Sequence, residues 1–236
     1  MSISDCGFQR KVRPDAFCFP SIASLPEIRH RGVAKTVVFA TPKVNKTANS
    51  VSVLNPAFMP SEAIANIISK TYRMERFWRC AGGWAPKEAS DLLALARLDR
   101  QTSFACTLYD YLEPFPSDQA EARQILGYAS LRSLCEGVLK LFFVVYLDDY
   151  QRDETSIRDE HGNLIFPDKV TFDRLIAFYL KKIDTKHETF LRRVQTRGNA
   201  IHHFNDRDIG NQDELIDDIV QFNEFLDSVD GLLPYP

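Results

Sequence analysis

Residues 117–149, SDQAEARQILGYASLRSLCEGVLKLFFVVYLDD, decide the fold. Pro114 and Pro116 precede the stretch, and Ser117 or Asp118 is suited to cap a helix that starts just after them. Within it Ala122, Ile125, Ala129, Leu134, Val138, Leu141, Phe142 and Val145 recur at helical spacing, and the pattern runs to about Asp148. A helix of that length with so wide an apolar surface needs other helices around it. It ends in Leu141–Leu147, the longest apolar run of the chain at seven residues, closed by Asp148 and Asp149. A spanning helix needs roughly 18 or more apolar residues, so no membrane association is expected.

On both sides the helical signal continues. Upstream, Pro86 followed by KEASDLLALARLDRQTSFACTLYDYL reads as one helix up to Pro114, with Ala89, Leu92, Leu93, Ala96, Phe104, Leu108 and Tyr111 on its apolar positions. Downstream, residues 149–168 are polar and turn-rich and read as a loop with a small hairpin at His161-Gly162-Asn163. Three more helices follow: Thr171 to Lys182, His187 to about Asn205, and Gln212 to Val229, the last with Leu215, Ile216, Ile219, Phe222 and Leu226 facing inward. The expected architecture for residues 81–236 is an up-down helical bundle with short connections and one long loop.

The first 80 residues read differently. Gly7, Pro14, Pro20, Pro26 and Gly32 break residues 1–32 into an irregular arm. Lys35–Ala40 and Ser50–Leu54 are β-rich and predict a short hairpin. Pro60 then opens a helix whose stripe is Ile64, Ile67, Ile68 and Tyr72, and the stretch from Arg79 to Pro86 reads as a boundary. Fold class is therefore mainly α, a bundle at 81–236 with a smaller α+β extension at 1–80.

The chain has 236 residues, 44% of them hydrophobic and 26% charged, which excludes a disordered chain and gives enough length for a core of its own. Its net charge of −3 is unevenly spread. Residues 1–80 hold 12 Lys and Arg against 5 Asp and Glu, a net +7, and residues 81–236 hold 17 against 27, a net −10. Such asymmetry fits a polyanion-binding segment, or a basic part that packs on an acidic one. The five cysteines are odd in number and form no CxxC pair, so they are expected as small buried hydrophobes. Asp5 and the lack of an apolar stretch in Met1–Phe8 predict no signal peptide and a cytoplasmic protein. No phosphate-binding glycine loop, dinucleotide fingerprint, zinc-protease helix or nucleophile elbow is present, and no cofactor or metal is expected.

Chemistry concentrates in the fourth helix of the bundle, Phe190-Leu-Arg-Arg-Val-Gln-Thr-Arg-Gly-Asn-Ala-Ile-His-His-Phe204. On a helical wheel, Phe190, Val194, Ile201 and Phe204 fall within roughly 80° and Arg197 falls among them. An arginine in an apolar stripe is costly unless it is paired, snorkels outward, or lines a cleft that receives an anion. His202 lies at the stripe's edge and His203 on the far side near Asn199, while Gly198 lets another backbone or a substrate come close. An arginine fork matches a phosphate, and an imidazole moves protons near neutral pH. Those two groups are nearly all that metal-free RNA cleavage requires. A straight helix sets Arg197 and His202 about 140° apart, so a two-fold dimer with two such helices facing would build the more complete cleft. Glu136 lies near the stripe of the long helix, where it would pair with Arg197 or Arg193, or with Lys140 one turn on.

The segment Arg197-Gly-Asn-Ala-Ile-His202 with His203-Phe204 resembles the R-x(4–6)-H signature of the HEPN family. The long helix at Ala129–Phe143, the run Val170–Ile176 and the closing Leu233-Pro-Tyr-Pro236 are similar to what bacterial members carry, so the resemblance spans about residues 86–236. It implies a metal-independent endoribonuclease, acting as a homodimer on RNA, of toxin or phage-defence type and held in check by an antitoxin or regulatory partner. Carried over, Arg197 stabilises the phosphate and His202 is the general acid/base, with Asn199, His203, Glu136 and Arg193 as supporting candidates. The family commonly has a polar residue after the arginine, often asparagine, where this chain has Gly198 and places Asn199 one position later. Some members have lost catalysis and persist as dimerisation or RNA-binding modules, so the alternative expectation is a non-catalytic module that binds RNA or a protein. A further alternative is an unrelated helical interaction protein in which the Arg–His pair is structural.

Overall fold

A computed structural model describes residues 59–83, 85–202 and 206–235. The expected hairpin at Lys35–Ala40 and Ser50–Leu54, the irregular arm before it, and His203 lie outside the described residues. Those residues form eight α-helices: α1 (Pro60–Trp78), α2 (Lys87–Leu95), α3 (Leu98–Thr107), α4 (Ala120–Val145), α5 (Leu147–Arg152), α6 (Phe172–Lys182), α7 (Glu188–Gly198) and α8 (Gln212–Asp230). Short 3-10 turns sit at Leu108–Tyr111, Pro167–Lys169 and Asn199–His202. The protein is mainly helical, and among the described residues no helix is long and apolar enough to cross a membrane.

The decisive stretch forms α4, the longest helix, and it lies at the centre. From Gly127 to its end none of its residues is fully exposed, because α2, α3, α6, α7 and α8 all pack against it. Its start differs from expectation. Ser117 and Asp118 lie in a turn, and Gln119 occupies the cap with no side-chain bond. At its far end Tyr146 departs from helical geometry at ψ 36° and separates α4 from the short α5.

The single helix expected from Pro86 to Leu112 is broken at Ala96 and Arg97, where ψ is 136° and 58°. The burial pattern explains the break. Ala89 and Leu93 are buried in α2, and Leu98 and Ala105 in α3. On one continuous helix Leu93 and Leu98 would lie about 140° apart, so one face could not bury both sets. Leaving the helix for two residues resets the phase.

α1 begins at Pro60 as the sequence predicts, and its Ile64, Ile67, Met74 and Trp78 are buried in the same core as Leu93, Leu134, Phe142, Phe222 and Phe225. The expected division at residues 80 and 81 therefore does not separate α1 from the bundle: it packs on α3 and α8. Lys70 and Arg73 of α1 reinforce this contact by pairing with Asp227 and Asp230 of α8. In the 149–168 connection, the hairpin reduces to one antiparallel bridge between Arg158 and Leu164, closed by Gly162. Of the cysteines, Cys135 is buried and Cys106 is exposed, both as free thiols.

Candidate functional site

α7 carries the motif arginine, and its geometry follows from Gly198. A Cβ at that position would stand 2.6 Å from Arg132 Cβ and 2.9 Å from the Tyr128 carbonyl oxygen of α4. Only glycine lets α7 approach α4 this closely. The close approach read from the sequence is thus made by another backbone. The α-helix ends at Gly198, and residues Asn199–His202 continue as a 3-10 turn. The tighter winding turns Ala200 inward and leaves Ile201 at 46% exposure, where an unbroken helix predicts burial.

Arg197 points into the bundle, and its side chain is 7% exposed. Its Nη1 donates to the Tyr128 hydroxyl at 2.7 Å. Its Nη2 donates to Glu214 Oε1 at 3.1 Å and to Asp208 Oδ2 at 3.2 Å, and its Nε reaches the same Asp208 oxygen at 3.3 Å. The guanidinium also stands over the Tyr128 ring, 5.3 Å from its centroid. Burial acts to discharge the arginine, but its bonds to Tyr128 and Glu214 outweigh that and raise its pKa above the ordinary value. The pairing pulls both carboxylates the other way. Glu214 is lowered by its bond from Arg197, and Asp208 by the Gly210 amide and then by Arg197.

The segment that brings Asp208 over the arginine is itself secured. Gly210 has φ +67°, and a Cβ there would lie 2.5 Å from Arg197 Nη1, so glycine is required both for the turn and for the room. Gln124 of α4 donates to the carbonyls of Ile209 and Asn211 at 3.1 and 2.7 Å. Asn211 and Glu214 then form a reciprocal cap on α8. Glu214 therefore both starts α8 and anchors Arg197.

A second buried charge extends the network. Asp218 of α8 has 0% residue exposure. It accepts from the Tyr128 hydroxyl at 2.9 Å and from Arg193 Nε at 3.0 Å. Two arginines of α7 are thus tied through one tyrosine to two acids of α8, and the chain of bonds crosses three helices. Burial and the charge of Asp218 raise the Tyr128 pKa, so the phenol stays protonated and donates to the carboxylate.

The structure places the sequence-predicted residues as follows. Arg197 and Arg193 join one network, but through Asp218 and Tyr128, which the motif does not contain. Glu136 pairs with Lys140 at 2.9 Å and Arg132 at 3.4 Å along its own helix, not with Arg197 or Arg193. Asn199 is half-buried at the helix end, and His202 is exposed on the 3-10 turn. Tyr128, Asp208, Glu214 and Asp218 are the members that the sequence reading misses. Two of them carry a signal: Asn211-x-x-Glu214 is a capping-box pattern, and Asp218 falls inside the apolar stripe of Leu215, Ile219 and Phe222. Among the described residues, no three His, Cys, Asp or Glu side chains gather as a metal site. Compared with protein-family models, with curated proteins and with solved structures, the chain matches none of them.

Proposed function

We propose that this chain is a non-catalytic helical module of HEPN-like kind that acts by binding a protein partner. The observation that carries the reading is the engagement of Arg197. Its guanidinium bonds to Tyr128, Asp208 and Glu214 of its own chain, and the side chain is 7% exposed. A phosphate approaching it would have to displace two carboxylates that are already well paired. Charge supports a protein over RNA. Residues 59–235 hold 21 Lys and Arg against 29 Asp and Glu, a net −8, and such a surface repels a polyanion.

The ribonuclease reading keeps one favourable observation. Asp208 is 73% exposed, so its carboxylate is the member of the cluster most easily displaced, and His202 is exposed nearby in sequence. One assay decides between them. Wild type, Arg197→Ala and His202→Ala are incubated with total RNA and excess chelator, and their unfolding is measured in parallel. The non-catalytic reading expects no cleavage by the wild type, lost stability in Arg197→Ala and none lost in His202→Ala. Chelator-resistant cleavage that disappears in His202→Ala at unchanged stability would replace it.

A further inference from the structure

α1, α4 and α8 all begin at one end of the molecule, and three sets of bonds hold their starts together. The Tyr109 hydroxyl, in the 3-10 turn at Leu108–Tyr111, donates to the Ser61 carbonyl of α1 at 3.3 Å. Gln212 of α8 donates to the carbonyls of Tyr111 and Glu113 at 2.9 and 2.7 Å. Gln124 of α4 ties in the segment just before α8. The chain enters α1 at this same end, from residue 58 into Met59.

This end is strongly acidic. Residues 59–62, 108–124 and 206–217 hold 10 Asp and Glu against 2 Arg, a net −8. Arg197 offsets one of these charges from α7 and is already spent on Asp208 and Glu214. The two local arginines do not neutralise the rest: Arg123 stands over the Phe115 ring, and Arg207 is exposed. Asp110, Glu113, Asp118, Glu121, Asp213 and Asp217 are exposed and have no ion pair among the described residues. Like charges gathered on one face repel each other, and a cationic cover relieves that repulsion. Two further features of this end call for a cover. Met59 and Tyr109 are 59% and 41% exposed. Gln124, itself 4% exposed, spends its amide nitrogen on the Ile209 and Asn211 carbonyls and leaves Oε1 with no donor. A buried acceptor is costly until a donor reaches it.

We infer that this end is a docking surface for the chain's own residues 1–58, whose lysines and arginines pair with its exposed acids. Charge and position both select this occupant. Residues 1–58 hold 8 Lys and Arg against 3 Asp and Glu, a net +5, the sign that this end lacks. They join the bundle at Met59, on the acidic end itself, so they face it at an effective concentration of about millimolar. A separate basic partner has to outcompete that tethered segment. A second copy of the same end is repelled by it, and so is nucleic acid. The inference does not depend on the partner-binding reading above, and it holds whether or not a further protein is bound.

The test uses the full-length protein and a carbodiimide, which joins a lysine amine directly to a carboxylate already in contact with it. Peptide mapping should find Lys11, Lys35, Lys43 or Lys46 joined to acids of the 108–121 or 206–217 stretches. In an equal mixture of unlabelled and 15N-labelled protein, those links should stay within one isotope. No such links, links to other faces, or links that mix the isotopes would overturn the proposal. A second measurement is the rate at which trypsin cuts within residues 1–58. The triple variant Glu113→Lys, Asp118→Lys, Asp217→Lys should raise that rate about tenfold or more, with cleavage within residues 85–235 unchanged. So should about 1 M salt, where the screening length falls to about 3 Å. A triple variant of the same charge change elsewhere, Glu154→Lys, Glu160→Lys, Asp168→Lys, should leave it as in the wild type. Equal rates for the two triple variants would show that the acidic end holds nothing. Neither readout involves RNA cleavage, so the chelator assay judges its own reading separately.

Discussion

Arg197 is a cation taken out of water and made whole by neighbours from three places in the chain. Its removal strands the buried hydroxyl of Tyr128, which then has only Asp218, and leaves Asp208 and Glu214 facing each other without the charge between them. Arg197→Ala should lower the unfolding free energy by about 2–4 kcal/mol. Arg197→Lys should recover only part of that, since a point charge cannot span three acceptors as a planar fork does. Asp208→Ala should cost less than about 1 kcal/mol, because that carboxylate is 73% exposed. Urea titration of the three variants measures all of this, and an Arg197→Ala protein as stable as wild type would show that the network is incidental. His187 offers a pH counterpart. It is buried, with its Nε2 within 3.0 Å of Ser228 Oγ, and burial, reinforced by Lys186, holds its pKa below the ordinary histidine value. The unfolded chain therefore takes up the proton first. The stabilisation from neutral His187 is complete above the unfolded histidine pKa of about 6.5 and declines as pH falls through that value toward the folded one. The melting temperature should drop over this range, and His187→Gln should flatten the drop.

Among the elements, the contact of α7 with α4 depends on an absent side chain. Gly198→Ala would push a methyl into Arg132 Cβ and the Tyr128 carbonyl, neither of which is the free end of a flexible group. A loss of about 1–3 kcal/mol is expected by calorimetry. The same crowding gives a structural reason for glycine at position 198. How far each element could be read from sequence depends on whether its cause is local. α1 and α8 are legible because proline at the first position and the Asn211–Glu214 cap act within one turn. The α2–α3 break is written in the five-residue step from Leu93 to Leu98, but the average helical spacing on either side conceals it. The partners of Arg197 are harder. Asp208 lies in a loop that folds back over the arginine, and no periodicity describes a loop. Placing the arginine inside the apolar stripe of its helix does follow from spacing, and α7 buries Phe190, Val194 and Arg197 together. What spacing does not tell is whether the charge meets an incoming anion or an acid of its own chain.

At the scale of the molecule, α4 has no free side along most of its length, and α1 shares its core. α1 covers Leu98, Ala105 and the inner face of α8 with residues such as Ile64 and Ile67, which are 0% exposed. A protein cut to begin at residue 81 loses that cover, and with it the ties of Lys70 and Arg73 to α8. It should fail to give the sharp thermal transition of the chain beginning at Met59, and should bind a hydrophobic dye at room temperature. A truncated protein that melts as sharply as the longer one would show that α1 is dispensable.

The placement of α4 has one more consequence. A helix that touches nearly every other helix and is wetted only in part, along its Arg132, Glu136 and Lys140 edge, cannot be the first piece to detach, nor can its neighbours leave singly without wetting it. Amide exchange in α4 should therefore proceed only through opening of the entire assembly, so that its slowest protons report the global free energy and leave no room for a partly unzipped form.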